Sequence, residues 1–177
     1  MELHQDFLFT LAQISTAFVG FSTLVRSITP DVDEHHIRQG LLQDVAVIGF
    51  IVLGGSLLPY ILSQLTLSEF QIWRIASAIV LLASLVSFLI ALRRYHRESG
   101  SLLLVPVLGP AVSIINLVVV ASFLSMYSWN LISPDISSGA RYIASLVLEL
   151  LVASYAFFTA GITVKNRSHL KIKRRDA

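Results

Sequence analysis

Inside one long apolar run stands a single carboxylate. Residues 142–164, YIASLVLELLVASYAFFTAGITV, contain one group of the Asp, Glu, Lys, Arg or His kind, and it is Glu149. Seven residues into that run, at the rise of an α-helix, it lies roughly 10 Å from the start. A carboxylate at such depth in a bilayer is expensive and faces protein or a water-filled cavity. Two chemistries follow. As an anion beside water it attracts cations; as a neutral acid it holds a proton and needs a hydrogen-bond partner, Gln13 or another polar side chain.

Two amides are the next candidates. Gln13 lies in the first apolar run beside the small residues Ala12, Thr16 and Gly20, which recur at steps of four on one helical face. Asn116 falls near mid-depth of the fourth run, after Pro106, Gly109 and Pro110. A proline inside a helix removes a backbone hydrogen bond and bends it, and broken helices near the midplane are common at transport sites. Glu149, Gln13 and Asn116 are therefore the candidate pore or proton site, and Pro106, Gly109 and Pro110 the candidate gate or hinge. The third run contains nothing that calls for chemistry.

Other chemistries are excluded. The chain has no cysteine, so thiol catalysis and thiolate metal sites are absent. Asp31, Asp33, Glu34, His35 and His36 are too close in sequence for all to address one ion on a helix, and they read as a solvated interfacial segment, with no metal and no cofactor. No nucleotide loop, HExxH pair or nucleophile elbow occurs. Asp44 falls at the opposite end of its run from the depth of Glu149, where Arg26 or Arg38 can pair with it, so the two carboxylates form no catalytic dyad. No enzyme is expected.

The elements that must position these residues are five apolar spans, at about residues 7–25, 41–62, 72–92, 102–126 and 142–164, in a single transmembrane domain. Residues 26–40 form a loop with a short helix, and residues 165–177 a basic tail. The 177 residues are 55% hydrophobic and 14% charged, well below the roughly 25% charge of a soluble domain. The expected class is an all-α polytopic integral membrane protein with five transmembrane helices. Further small faces, Gly49 with Gly54 and Ala76 with Ala83 and Ser87, mark close helix contacts, some of them between copies in a homo-oligomer.

Charge orients the chain. Of its 13 Lys and Arg residues only Arg74 and Arg141 fall on the side of the N-terminus; Arg26, Arg38, the Arg93–Arg97 cluster and the tail lie on the other. The positive-inside rule puts the C-terminus in the cytoplasm and the N-terminus outside, in a bacterial inner membrane or a plasma membrane. Tyr60, Trp73, Tyr127, Trp129 and Tyr142 then mark the outer interface. The tail meets anionic lipid heads rather than nucleic acid.

These features fit a small homo-oligomeric, cation-preferring channel or facilitator for a small ion or solute, its pore lined by polar helix faces. The alternatives are a proton-coupled carrier or sensor using Glu149, and an accessory membrane subunit whose polar groups only hold helices together. The topology has a direct test. A cytoplasm-dependent reporter fused to the C-terminus should be active and the same reporter on the N-terminus silent; matching signals would remove the five-span arrangement.

Overall fold

The computed structural model describes residues 2–28, 36–99 and 109–175, and the regular structure there is entirely α-helical. The helices are α1 (Glu2–Ile28), α2 (His36–Ser63), α3 (Glu69–Ser99), α4 (Gly109–Ile132) and α5 (Ser138–Arg175). Each contains a stretch long and apolar enough to cross a bilayer: Gln5–Ile28, Gln39–Ser63, Glu69–Arg94, Ile114–Ile132 and Ser138–Ala160. The protein is thus an all-α, multi-pass membrane protein. Helices suit that solvent because every backbone polar group inside lipid must be satisfied within the chain.

Short connections make antiparallel neighbours. Between α2 and α3, Ser68 and Gln71 cap the incoming helix reciprocally: Ser68 N donates to Gln71 Oε1 at 2.9 Å and Gln71 N to Ser68 Oγ at 3.4 Å. Between α4 and α5, Asp135 does the turning. Its carboxylate accepts from Ser137 N at 2.8 Å, and its own N–H donates to Ser138 Oγ at 2.9 Å.

Helices α2, α3, α4 and α5 form a ring in which each touches the next, and α3 and α5 also meet across it. α1 lies outside, against α2 and α5, with Phe18 edge-on to Phe157 of α5 at 6.2 Å. Among the described residues, α5 is the one helix in contact with all the others. The core draws Leu8 and Leu11 from α1, Val52 from α2, Trp73 and Val80 from α3, Phe123 and Tyr127 from α4, and Tyr142 and Leu146 from α5. Large apolar side chains such as Phe21, Leu82, Ile90, Ile115 and Phe158 point outward. In lipid such exposure carries no penalty.

Several expectations are corrected. The fourth helix continues to Ile132 rather than ending near residue 126, with Tyr127 and Asn130 still helical and buried. Tyr60 and Trp129 are exposed, but Trp73, Tyr127 and Tyr142 are buried against one another, with centroids 5.6 Å apart for Trp73 and Tyr142 and 5.7 Å for the two tyrosines. These aromatics pack helix to helix instead of marking an interface. Arg94 of α3, a partner of Asp44 that the sequence did not suggest, pairs with it and also donates to Gly40 O at 3.3 Å, so its guanidinium ties the start of α2 to the end of α3. The side chain of Arg38, residues 29–35 and Pro106 lie outside the described residues.

The small faces also divide. Ala12, Gly49 and Ala76 are buried, whereas Thr16, Gly20, Gly54 and Ala83 are exposed and Ser87 is half-buried. The buried edge of α1 runs through Leu8, Leu11, Ser15 and Ser22. Ser15 costs little there because its hydroxyl bonds back to Leu11 O at 2.7 Å. α1 approaches α2 closely at Gly49, where a Cβ would stand 2.7 Å from Val19 Cγ2. At Gly55 a Cβ would meet Leu146 Cδ2 at 2.9 Å, while Gly20 and Gly54 face open space. Gly49→Ala should therefore destabilise the bundle by about 1–3 kcal/mol through overpacking against a stiff β-branched neighbour. Gly54→Ala should be near neutral. Unfolding in mild detergent checks the contrast, and equal effects would contradict the α1–α2 packing.

Candidate functional site

Along α5, Tyr142, Leu146, Glu149 and Ala153 follow at helical spacing on the face turned into the ring, and all are buried. Glu149 is 2% exposed. On α3 the inward face is Trp73, Ala76, Val80 and Ser84, with Ser77 beside it. Because α3 and α5 meet across the ring, Ser84 reaches Glu149 and its Oγ–H donates to Glu149 Oε1. This is the central polar contact of the bundle.

Tyr127 arrives from α4. Helical side chains lean toward their own N-terminus. On α4 that carries the Tyr127 ring from the loop end down toward the level of Ser84, while on α5 it carries Glu149 up toward the loop end. The two converge: Tyr127 is fully buried and its hydroxyl lies within electrostatic reach of the Glu149 carboxyl. Among the described residues, neither Tyr127 Oη nor Glu149 Oε2 has a hydrogen-bond partner. Tyr142, also within electrostatic reach, is satisfied otherwise and donates to Gly55 O of α2 at 2.7 Å.

No basic side chain among the described residues acts on Glu149. An unpaired ion so deeply buried costs several kcal/mol, more than one hydroxyl hydrogen bond returns. Such an enclosure favours the neutral acid over the anion.

A second polar layer lies one turn nearer the α4–α5 loop. Asn130, fully buried on α4, donates through Nδ2 to Ser77 Oγ at 3.1 Å and Ser138 O at 3.0 Å, and its Oδ1 accepts from Arg141 Nε at 2.8 Å. Arg141 donates onward to Asp135 Oδ2 at 3.0 Å, to Ser133 O at 3.3 Å and to Ser138 Oγ at 3.2 Å. The Arg141 hydrogen bond, with help from Ser137 N–H, holds the exposed Asp135 carboxyl below its ordinary range. What this pair contributes is present above the usual carboxylate range and lost as pH falls through the lowered value. Arg141 and Asp135, with Ser125, Met126 and Trp129, also line an open cleft of about 440 Å³. Asn130 links that cleft to the interior.

The other anticipated site residues lie apart from Glu149. Gln13 is exposed on the face of α1 turned away from the ring, so Ser84 rather than Gln13 meets the acid. Asn116 is half-buried on α4, on the same face as Phe123 and Tyr127 but further from the loop. Gly109 and Pro110 open the described part of α4, and the bend anticipated between Pro106 and Pro110 lies outside the described residues. Among the described residues no cluster of His, Asp or Glu is arranged to hold a metal. Ser84, Tyr127, Asn130 and Ser77 escaped the reading of the sequence. The one available signal was the spacing of seven between Ser77 and Ser84 inside an otherwise apolar span, which puts both on one side of α3.

Fold and site together define a five-helix membrane bundle with an acid–hydroxyl core inside a single protomer. Compared with protein families, curated proteins and solved structures, the chain finds no match in any of the three.

Proposed function

We propose that this protein is a proton-coupled membrane carrier or proton-responsive sensor whose working group is Glu149. The observation that supports this reading is the burial of Glu149 between α3 and α5, bonded to Ser84, with no cation beside it among the described residues. Such a group has two states that demand different surroundings. The neutral acid is at home in the closed bundle. The anion needs water or a countercharge, so releasing the proton favours an arrangement in which the faces of α3 and α5 part or admit water. Proton loss is thereby coupled to helix movement, as both transport and sensing require.

The cation-preferring channel has a weaker basis at Glu149, because a carboxyl buried inside one protomer does not line an axis shared by several. A shared pore finds its support elsewhere, on α1. Gln13, Thr16, Gly20 and Thr23 form one exposed stripe there, with an amide at mid-helix facing away from the ring. The size of the particle in lipid separates the two readings, since a monomer excludes a shared pore and leaves the proton reading intact.

The function is tested in proteoliposomes with the wild type, Glu149→Gln and Glu149→Leu. Two signals are followed as pH is varied: proton flux by an entrapped pH dye, and the fluorescence of Trp73, which packs on Tyr142. The wild type should show a pH-dependent flux or a pH-dependent emission change. Gln, near-isosteric with the neutral acid, should fold normally and abolish the pH dependence, and Leu should also destabilise the protein by leaving Ser84 unpaired. Identical pH behaviour in wild type and Gln would overturn the reading and leave Glu149 a packing residue.

A further inference from the structure

α2 carries a proline inside its helical span, Pro59, one turn before its end at Ser63. Proline has no backbone N–H, so the carbonyl four residues earlier, Gly55 O, loses its helical partner. In the hydrocarbon of a bilayer that loss is costly unless another donor serves the carbonyl. Here the donor comes from a different helix. The Tyr142 hydroxyl of α5 donates to Gly55 O at 2.7 Å, and both residues are buried. Glycine at 55 is what admits it: a Cβ there would stand 3.3 Å from Tyr142 Oη, 2.9 Å from Leu146 Cδ2 and 3.1 Å from Val80 Cγ2.

The same turn of α2 is weakly braced by its own atoms. Ser56 Oγ is buried and has no hydrogen-bond partner among the described residues. Ser15, Ser145 and Ser154, by contrast, bond back to the carbonyl four residues before. A proline ring pushes off that carbonyl and bends its helix away from the side the ring occupies. Val52, Gly55, Ser56 and Pro59 lie at helical spacing on the buried face of α2. Further bending therefore carries Tyr60–Ser63 outward, away from α5, and Gly54, which faces open space, leaves that side free. Beyond Pro59, Leu62 packs on the edge of the core and the Tyr60 ring lies 5.6 Å from Phe9 of α1, while Ile61 is exposed.

We propose that the Gly55–Pro59 turn is a hinge in α2 and that Tyr142 is its latch. The phenol stands in for the N–H that Pro59 lacks and holds the last turn of α2 against the bundle. When Tyr142 withdraws, Gly55 O has no donor within the helix. A wider bend at Pro59 then lets water reach it from the loop end, about 12 Å away at helical rise. Tyr142 and Glu149 share one buried face of α5, two turns apart. Any displacement of that face, whatever drives it, reaches α2 through this bond. The hinge is thus independent of the proton-coupled reading above, and it makes the loop end of α2 the movable part of the ring.

Two measurements on the whole chain in lipid test it. The first is a double-mutant cycle followed by thermal unfolding. Tyr142→Phe should lower the melting temperature. In a Pro59→Ala background, where the alanine N–H serves Gly55 O, the fall should shrink to less than about half. An undiminished fall would show that the phenol does not replace the missing N–H, and would overturn the latch. The second exploits the absence of cysteine. Spin labels attached through Ile61→Cys on α2 and Ile132→Cys on α4, both exposed, report the separation of the two helix ends. The wild type should give one narrow separation, Tyr142→Phe a second and longer one, and Tyr142→Phe with Pro59→Ala the narrow one again. An unchanged separation in Tyr142→Phe would overturn the hinge. Should Tyr142→Phe alone fail to fold, the double variant decides: folding with the narrow separation supports the latch, and failure to fold rejects it.

Discussion

A carboxyl group enclosed by hydrocarbon and lacking a cation sets the terms for the rest of this bundle. Ionised, it would cost more than the fold can readily spare; neutral, it becomes a hydrogen-bonding group that must be served from inside. Ser84 serves it from across the ring. That contact requires α3 and α5 to meet, a geometry that a simple ring of four helices does not guarantee, and here they do. The aromatic side chains of Trp73, Phe123, Tyr127 and Tyr142 fill the space around and above the acid and keep it from lipid.

The helix arrangement follows from the same need. α5 carries the acid and touches every other helix, while α1, from which no titratable group among the described residues acts on the acid, lies outside the ring. Close approach is arranged at two glycines of α2: Gly49 lets Val19 of α1 settle against it, and Gly55 brings a backbone carbonyl to the Tyr142 hydroxyl. At the two ends, charge is placed where water can reach it. Arg94 ties α2 to α3 at one, and Arg141 ties the α4–α5 loop to Asn130 at the other. Between these ends the buried polar groups of the described residues are hydroxyls, an amide and the acid, with no basic side chain among them.

Much of this was legible in the sequence, for identifiable reasons. Five runs of spanning length declare themselves by hydropathy alone, and Glu149 is conspicuous because nothing near it in sequence is charged. Its partner was harder to see. A serine in an apolar helix usually satisfies itself on its own backbone, as Ser15 and Ser154 do, so Ser84 looks no different until the fold sets it opposite the acid. Tyr127 and Tyr142 misled in another way. Tyrosine near a span end ordinarily marks the interface, and only tertiary packing shows that both rings turn inward. The face of α1 was misphased because Ala12, Thr16 and Gly20 share one side, while the packed edge, set by Leu8, Leu11, Ser15 and Ser22, includes Ala12 but leaves Thr16 and Gly20 outside.

The account stands or falls on the pairing of Ser84 with Glu149 inside one protomer. A double-mutant cycle reads it directly, with Ser84→Ala, Glu149→Leu and the combination compared by reversible unfolding in lipid or mild detergent. The pairing predicts a coupling of about 0.5–1.5 kcal/mol between the two positions, the range of a hydrogen bond between membrane helices. Effects that add to within about 0.3 kcal/mol would show that the two side chains do not meet, and would contradict the account.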